Sequence, residues 1–453
     1  MTFSKLPLSK SMISTLDSLG YNSMTPIQAQ TLPLILDAKD VIAQAKTGSG
    51  KTAAFGIGLL SRLDVKKFRV QALVLCPTRE LADQVAKELR RIARFEHNIK
   101  ILMLTGGESF GKQLGSLSHQ AHVVVGTPGR VLKHLNKESL ELTNLQTLVF
   151  DEADRMLDMG FIEEIEAVLA FVPGERQTLL FSATYDETIL DISAKIQKNA
   201  ITIKTQTAEE PNKIEEIFYE VIHKEQSFVK ILSEFKPQNV IVFTNTKLAA
   251  RELAESLQKR KIDALAIHGD LEQYERNDVL VQFANGSCPI LVATDVAARG
   301  LDIKELSMVV NFDIPHARET YTHRIGRTGR AGAHGVAITL YEAWESENAE
   351  DYRDNKRGFK DESALKGTLD FELPPKNVTL VIEGGKKDKL RAGDILGALT
   401  GNAGLDGSSI GKIDIYDRQA YVAIEAKEVE KALTYLKYGK IKSKTLKSFG
   451  ISD

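Results

Sequence analysis

Short apolar runs recur along the first half of the chain, separated by longer amphipathic stretches. They are Val41-Ile42-Ala43, Ala72-Leu73-Val74-Leu75, Ile101-Leu102-Met103-Leu104, His122-Val123-Val124-Val125, Leu148-Val149-Phe150 and Thr178-Leu179-Leu180-Phe181. Runs apolar on both faces predict buried strands of a parallel sheet, and the 3.6-residue spacing from Glu80 to Ile92 predicts a helix covering it. The alternation is the βαβ rhythm of a doubly wound α/β sheet, here over residues 1–206. A polar segment, 207–213, breaks the pattern and predicts a linker. The rhythm restarts over 214–344 with Val240-Ile241-Val242-Phe243, Ala264-Leu265-Ala266-Ile267, Ile290-Leu291-Val292-Ala293 and Met308-Val309-Val310-Asn311. The charged, poorly periodic stretch 345–375 predicts an extended linker with at most one short helix. Beyond it, residues 376–453 predict the order βαββαβ: strand 378–382, helix 392–399, strands 413–416 and 420–425, helix 429–436 and a last strand near 442–447. That order predicts an α+β split βαβ sandwich with an exposed four-stranded sheet.

Composition narrows the class without naming a reaction. The chain has 453 residues, 43% hydrophobic and 26% charged, as expected of two or three globular domains. The formal charge of −2 rules out a global attraction to polyanions, so any such binding must come from local patches. Residues 376–453 hold 14 Lys and Arg against 10 Asp and Glu, a net of +4 that leaves −6 for the rest. Cys76 and Cys288 stand in separate regions, which excludes a disulfide framework and a thiolate metal site. No apolar run approaches the length of a membrane span and the N-terminus lacks a signal-peptide core, so a cytoplasmic, monomeric protein is expected.

Two motifs carry chemistry. Ala45-Lys46-Thr47-Gly48-Ser49-Gly50-Lys51-Thr52 lies between a predicted strand and a predicted helix, the context of a phosphate-binding loop. Gly48 and Gly50 let backbone N–H groups approach phosphates, with Thr47 and Ser49 between and before them. Lys51 reaches the outer phosphates, and the Thr52 hydroxyl faces Mg²⁺. Asp151-Glu152-Ala153-Asp154 follows the apolar run Leu148–Phe150. Alone it fits a solvated turn equally well. Paired with the loop, Asp151 reads as a second Mg²⁺ ligand and Glu152 as the residue that orients and deprotonates a water.

The order of further motifs resembles the two-domain, RecA-like core of the DEAD-box RNA helicases over about the first 340 residues. Gly20-Tyr21 with Thr25-Pro26-Ile27-Gln28 resembles that family's adenine-reading motif. Gln28 can accept from the adenine amino group while donating to N7, which favours ATP over GTP. Tyr21, or the upstream Phe3, fits either stacking on the base or packing in the core. Pro77-Thr78-Arg79-Glu80-Leu81-Ala82, Gly106-Gly107 and Thr127-Pro128-Gly129-Arg130 are similar to the RNA-backbone motifs. The resemblance thus implies RNA contacts for Thr78, Arg79, Gly107, Thr127, Arg130 and, in the second domain, Thr294. Ser182-Ala183-Thr184 resembles the motif coupling hydrolysis to strand separation, with Asp154, His323 and Arg324 holding the same interface. Gly300 and Asp302 are implied to face ATP, and Arg327 and Arg330 to be arginine fingers reaching the γ-phosphate when the domains close.

The third unit resembles the RNA-binding domain of the DbpA subfamily through Gly384-Gly385-Lys386-Lys387-Asp388-Lys389, Gly393–Leu399, Ile410–Ile413 and Tyr421-Val422-Ala423. Lys386, Lys389 and Arg391 are implied RNA contacts. The sheet lacks the paired aromatics of ordinary RNA-recognition motifs (RRM), leaving Tyr416 and Tyr421 as stacking candidates. The subfamily acts on 23S ribosomal RNA, gripping a hairpin and delivering the core to adjacent helices of the pre-50S particle. The expectation is therefore an ATP- and Mg²⁺-dependent RNA helicase; the alternative is an ATP-gated RNA clamp that unwinds little.

Overall fold

A computed structural model describes residues 2–44, 48–183, 187–204, 214–298, 306–329, 334–442 and 444–451. The chain divides into two compact units. The first carries β1 (Val41–Gln44), β2 (Ala72–Leu75), β3 (Ile101–Leu104), β4 (Val123–Gly126), β5 (Thr147–Asp151), β6 (Gln177–Ser182) and β7 (Ile201–Lys204). All pair in parallel in the order β3-β4-β2-β5-β6-β1-β7. Six of these are the predicted apolar runs. β7 escaped prediction because it is an edge strand whose residues alternate between half-buried and exposed.

The covering helices follow from sequence as expected. Along Arg79–Ile92 the buried positions Leu81, Ala82, Val85, Ala86, Leu89 and Ile92 form one stripe facing the sheet. Pro26–Leu36 begins with proline at its first turn and a capping box between Thr25 and Gln28.

The second unit contains two sheets. The larger comprises β8 (Ile214–Glu220), β9 (Val240–Thr244), β10 (Ala264–Ile267), β11 (Ile290–Thr294), β12 (Met308–Asn311), β13 (Gly335–Tyr341) and β14 (Gly358–Asp361). They are again parallel, in the order β10-β11-β9-β12-β13-β8-β14.

The presence of β14 corrects the linker expected over 345–375. Phe359 stacks on Phe218 at 4.8 Å, the Arg353 guanidinium lies 4.1 Å from the Phe359 ring, and Arg357 pairs with Glu216 at 2.6 Å. Helical turns fill 343–350, and further on Leu373 exchanges backbone bonds with Lys261 and Asp263. The stretch is charged because it is a strap over the domain surface, not because it is unstructured.

The smaller sheet has β15 (Asn377–Ile382), β16 (Ile410–Ile415), β17 (Ala420–Glu425) and β18 (Ser448–Gly450), antiparallel in the order β16-β17-β15-β18. The βαββαβ reading holds, with helices Ala392–Gly397 and Val429–Tyr438 between the strands. The final strand lies later than expected. Around 442–447, Ile441 and Lys444 close a turn anchored by buried Ile441, so the lysines occupy a loop instead.

Two further expectations fail here. The sheet is not exposed, and Tyr421 is not a stacking platform. Thr379, Val381, Tyr421 and Ala423 are buried on the face away from the two helices, and the Tyr421 hydroxyl donates to Asp278 Oδ1 at 2.8 Å. The second unit's own helix Gln273–Ala284 covers that face.

Candidate functional site

Parallel strands aim their C-terminal ends at one edge, and the loops leaving that edge carry the candidate residues. In the first unit they fall into two neighbouring groups. Those after β1, β5 and β6 hold the nucleotide candidates; those after β2, β3 and β4 hold the RNA candidates.

The nucleotide group is built around two glycines in the left-handed region. Gly48 and Gly50 have φ of 84° and 93°, and a Cβ at Gly50 would stand 2.5 Å from Gln28 Nε2. Only glycine fits both demands. Helix Lys51–Ser61 starts at Gly50, so its free N–H groups and dipole point toward the loop. Lys51 is buried, and among the described residues its Nζ has no hydrogen-bond partner. Neither do Ser49 Oγ, Asp151 Oδ1 and Ser182 Oγ. Leaving such buried groups unpaired costs stability, and a triphosphate with its metal would satisfy them. Thr52 stands beside Lys51, half-buried, at the helix start.

Asp151 ends β5 and is 2% exposed. Burial pushes its carboxyl up to about 6, against the pull of the Lys51 ammonium, with Glu152 and Asp154 adding to the rise. A divalent cation would reverse this by stabilising the carboxylate. One carboxylate plus a hydroxyl suits Mg²⁺, which takes few protein ligands and completes its shell with substrate phosphates.

Glu152 adopts a left-handed conformation, φ 54°, and its Oε2 accepts from Arg155 at 2.6 Å within a buried pair. The carboxylate that the sequence assigns to orienting a water is thus held by a neighbouring guanidinium in this structure. Asp154 Oδ2 accepts from Ala183 N at 3.0 Å, tying the loop after β5 to the turn after Ser182.

Gln28 ties two elements together. Its Oε1 accepts from Thr25 N at 2.9 Å and its Nε2 donates to Gly50 O at 3.1 Å, so the amide holds the phosphate loop to the start of its own helix. Tyr21, half-buried, donates to Glu88 and meets buried Phe3 edge-on at 6.2 Å.

Among the RNA candidates, Thr78 Oγ1 caps helix Arg79–Ile92 by accepting from Leu81 N at 3.2 Å, a structural duty the sequence reading missed. The Arg79 guanidinium lies against Gly106, where a Cβ would come within 2.9 Å of it. Gly107 takes φ 78°. Thr127 caps no backbone N–H of its helix with its hydroxyl and is half-buried. Arg130 donates to Glu108 O at 3.1 Å and Gln113 Oε1 at 2.7 Å. Gln113, which no sequence signal marked, is buried and also donates to Thr105 O, so it organises this loop.

In the second unit Thr294 ends β11, buried. Arg324 is 1% exposed and uses all five donors: two on Asp295 at 2.7 Å each, and one each on Asn245 Oδ1, Asn311 Oδ1 and Asp313 O. It welds the ends of β9, β11 and β12 together. His323, beside it, is half-buried, and Arg327 is buried in the turn after helix Arg318–Ile325. Thr47, Thr184, Gly300, Asp302 and Arg330 lie outside the described residues.

In the small domain the two lysine clusters converge. Lys387, Lys389, Lys442 and Lys444 line one cleft of about 360 Å³ with Asp388, Leu390, Ile441 and Leu446. Lys386 and Arg391 are exposed on the same loop. Among the described residues no helix is long and apolar enough to cross a membrane.

Comparison with known proteins gives three consecutive family matches. Residues 25–192 match the DEAD/DEAH box helicase model, 223–332 the helicase conserved C-terminal domain, and 379–448 the DbpA RNA binding domain. The chain is 50% identical to the ATP-dependent RNA helicase DbpA of Escherichia coli, covering 97% of this chain and 96% of that protein. It is 48% identical to the DEAD-box ATP-dependent RNA helicase CshA of Geobacillus kaustophilus over 75% of this chain and 73% of that one. Among solved structures, S. cerevisiae Dbp5 bound to RNA and ADP BeF3 superposes with a TM-score of 0.72 at 32% identity, covering 80% of this chain and 96% of that chain.

Proposed function

This chain belongs to the DEAD-box family of ATP-dependent RNA helicases, in its DbpA branch, and on that premise we propose that it locally remodels 23S ribosomal RNA during large-subunit assembly. The observation that carries the substrate reading is the lysine cleft. Two basic segments some fifty residues apart in sequence meet on one small domain, while the remainder of the chain is net negative. Local cationic density of this kind suits the crowded phosphates of a structured hairpin.

Within this reading Lys51 and the loop amides hold the triphosphate, and Thr52 and Asp151 would hold Mg²⁺, which neutralises charge at the phosphates. Glu152 orients the attacking water once it exchanges Arg155 for solvent. Arg327 and Arg330 act as fingers on the γ-phosphate, with Gly300 and Asp302 toward the nucleotide. Thr78, Arg79, Gly107, Thr127, Arg130 and Thr294 line the RNA path, and RNA and ATP reinforce each other's binding by linkage. The protein works as a cytoplasmic monomer on the pre-50S particle.

The test is ATP turnover by the full chain with a large-subunit rRNA hairpin fragment and with an unrelated hairpin of equal length. The rRNA fragment should half-saturate at a concentration at least about tenfold lower, since each specific contact is worth ~1–3 kcal/mol. Equal stimulation by the two RNAs rejects the rRNA assignment. In the same assay Arg327→Ala should keep nucleotide affinity and lose about a thousandfold in stimulated turnover.

A further inference from the structure

The connection between helix Lys51–Ser61 and β2 lies at the N-terminal edge of the first sheet, opposite the loops that carry the nucleotide and RNA candidates. It reads Arg62-Leu63-Asp64-Val65-Lys66-Lys67-Phe68-Arg69, four cations against one carboxylate in a chain whose total charge is −2. Phe68 is 45% exposed, and Lys66, Lys67 and Arg69 on either side of it are exposed as well. Asp64, the one carboxylate on the loop, pairs with Lys67 at 3.5 Å, which leaves Lys66 and Arg69 to present charge beside the ring.

A lone exposed ring is ordinary on a protein surface. This one stands on a built frame. Gln71, 1% exposed, accepts from Asp64 N and donates to Asp64 O and Lys67 O, each at 2.9 Å. His122, wholly buried just before β4, accepts from Lys100 N at Nδ1, 3.0 Å away, and places Nε2 3.1 Å from Val65 O. Because Nδ1 accepts, the neutral imidazole carries its proton on Nε2 and donates it to Val65 O. The Phe68 ring rests on that imidazole, with centroids 4.9 Å apart. Arg69 then donates to Phe68 O at 2.9 Å and to Gln120, which fixes the backbone after the ring. Two buried polar side chains thus hold an exposed aromatic in one place, so a ligand meets it without ordering the loop first.

A fixed aromatic face among cations suits an unpaired nucleotide, whose base stacks while its phosphates are neutralised. A duplex fits poorly, since its bases already stack on one another. β2, β3 and β4 start at this edge and end about 13 Å further on, in the loops of the RNA candidates. We propose that the Phe68 loop is a second RNA contact of the first domain, which takes an unpaired nucleotide with its base on Phe68 and its phosphates on Lys66, Lys67 and Arg69. It holds a single-stranded flank of the substrate, and it tolerates sequence because every base has a face to stack. The inference needs RNA as substrate, which the family supplies, and not the ribosomal target proposed above.

The test uses the full chain with two RNA duplexes unrelated to ribosomal RNA, one blunt and one carrying a single-stranded flank of mixed sequence. The wild-type protein should prefer the flanked duplex. Phe68→Ala should weaken flanked-duplex binding about tenfold, the size expected for one stacked base, and Phe68→Tyr should keep it. Lys66→Gln with Lys67→Gln, which alters exposed groups only, should reduce the log–log salt slope for the flanked duplex by about 1.4. Blunt-duplex affinity, and kcat at saturating flanked RNA, should stay within twofold in every variant. A photoreactive uridine in the flank should crosslink to residues 62–69. Flanked-duplex affinity within twofold of wild type in Phe68→Ala overturns the proposal, and the loop is then a surface for a protein or for nothing. An equal loss on the blunt duplex overturns it too, because the ring then serves the fold.

Discussion

His134 sits four residues beyond Arg130, wholly buried and stacked on Phe110 at 4.2 Å. Its Nδ1 lies 2.8 Å from Ser139 Oγ and its Nε2 3.1 Å from Gln113 Oε1, the same oxygen that accepts from Arg130. Burial, then the charges of Arg130 and Lys133, push the imidazole down to about 4. The native ring is therefore neutral at pH values where the unfolded ring, titrating near 6.5, takes up a proton. Its contribution is fully present at pH 7 and is lost as pH falls from about 6.5 toward 4. The urea midpoint should drop between pH 7 and pH 5, and His134→Gln should flatten that part of the profile; equal slopes would refute it. Gln28, Thr78 and Arg324 teach the same lesson about legibility. Residue type and motif were readable, but the atoms each side chain binds come from chain segments distant in sequence, and those contacts decide what it is free to do.

Legibility at the level of elements followed burial. Strands apolar on both faces, such as β2, β5 and β11, were readable because a parallel interior admits little else. β7, β8, β13 and β14 escaped the reading; β7 and β14 are short edge strands with exposed positions. β14 nevertheless holds the second domain's margin through one aromatic. Phe359 stacks on Phe218 and meets Tyr341 edge-on at 6.4 Å, so a single truncation uncovers several rings. Phe359→Ala should destabilise the domain by about 2 kcal/mol, below the range for a fully buried Phe because this ring is half-buried. Chemical unfolding of the full chain checks it. An unchanged midpoint would mean that residues 358–361 are a loose appendage after all.

For the whole molecule, division into two α/β units and a small α+β domain was readable from periodicity, and the phosphate loop and carboxylate motif from spacing. The burial of the small domain's sheet face was not. Thr379, Asn285 and Ser287 are ordinary polar residues whose burial exists only once two folded surfaces meet. The strand order of the first sheet also separates two tasks. Loops after β1, β5 and β6 carry the nucleotide candidates, and those after β2, β3 and β4 the RNA candidates, with the boundary between the neighbours β2 and β5. Heritable change can therefore accumulate in the second row while the first keeps its composition. Such a division lets one row change its chemistry without disturbing the other.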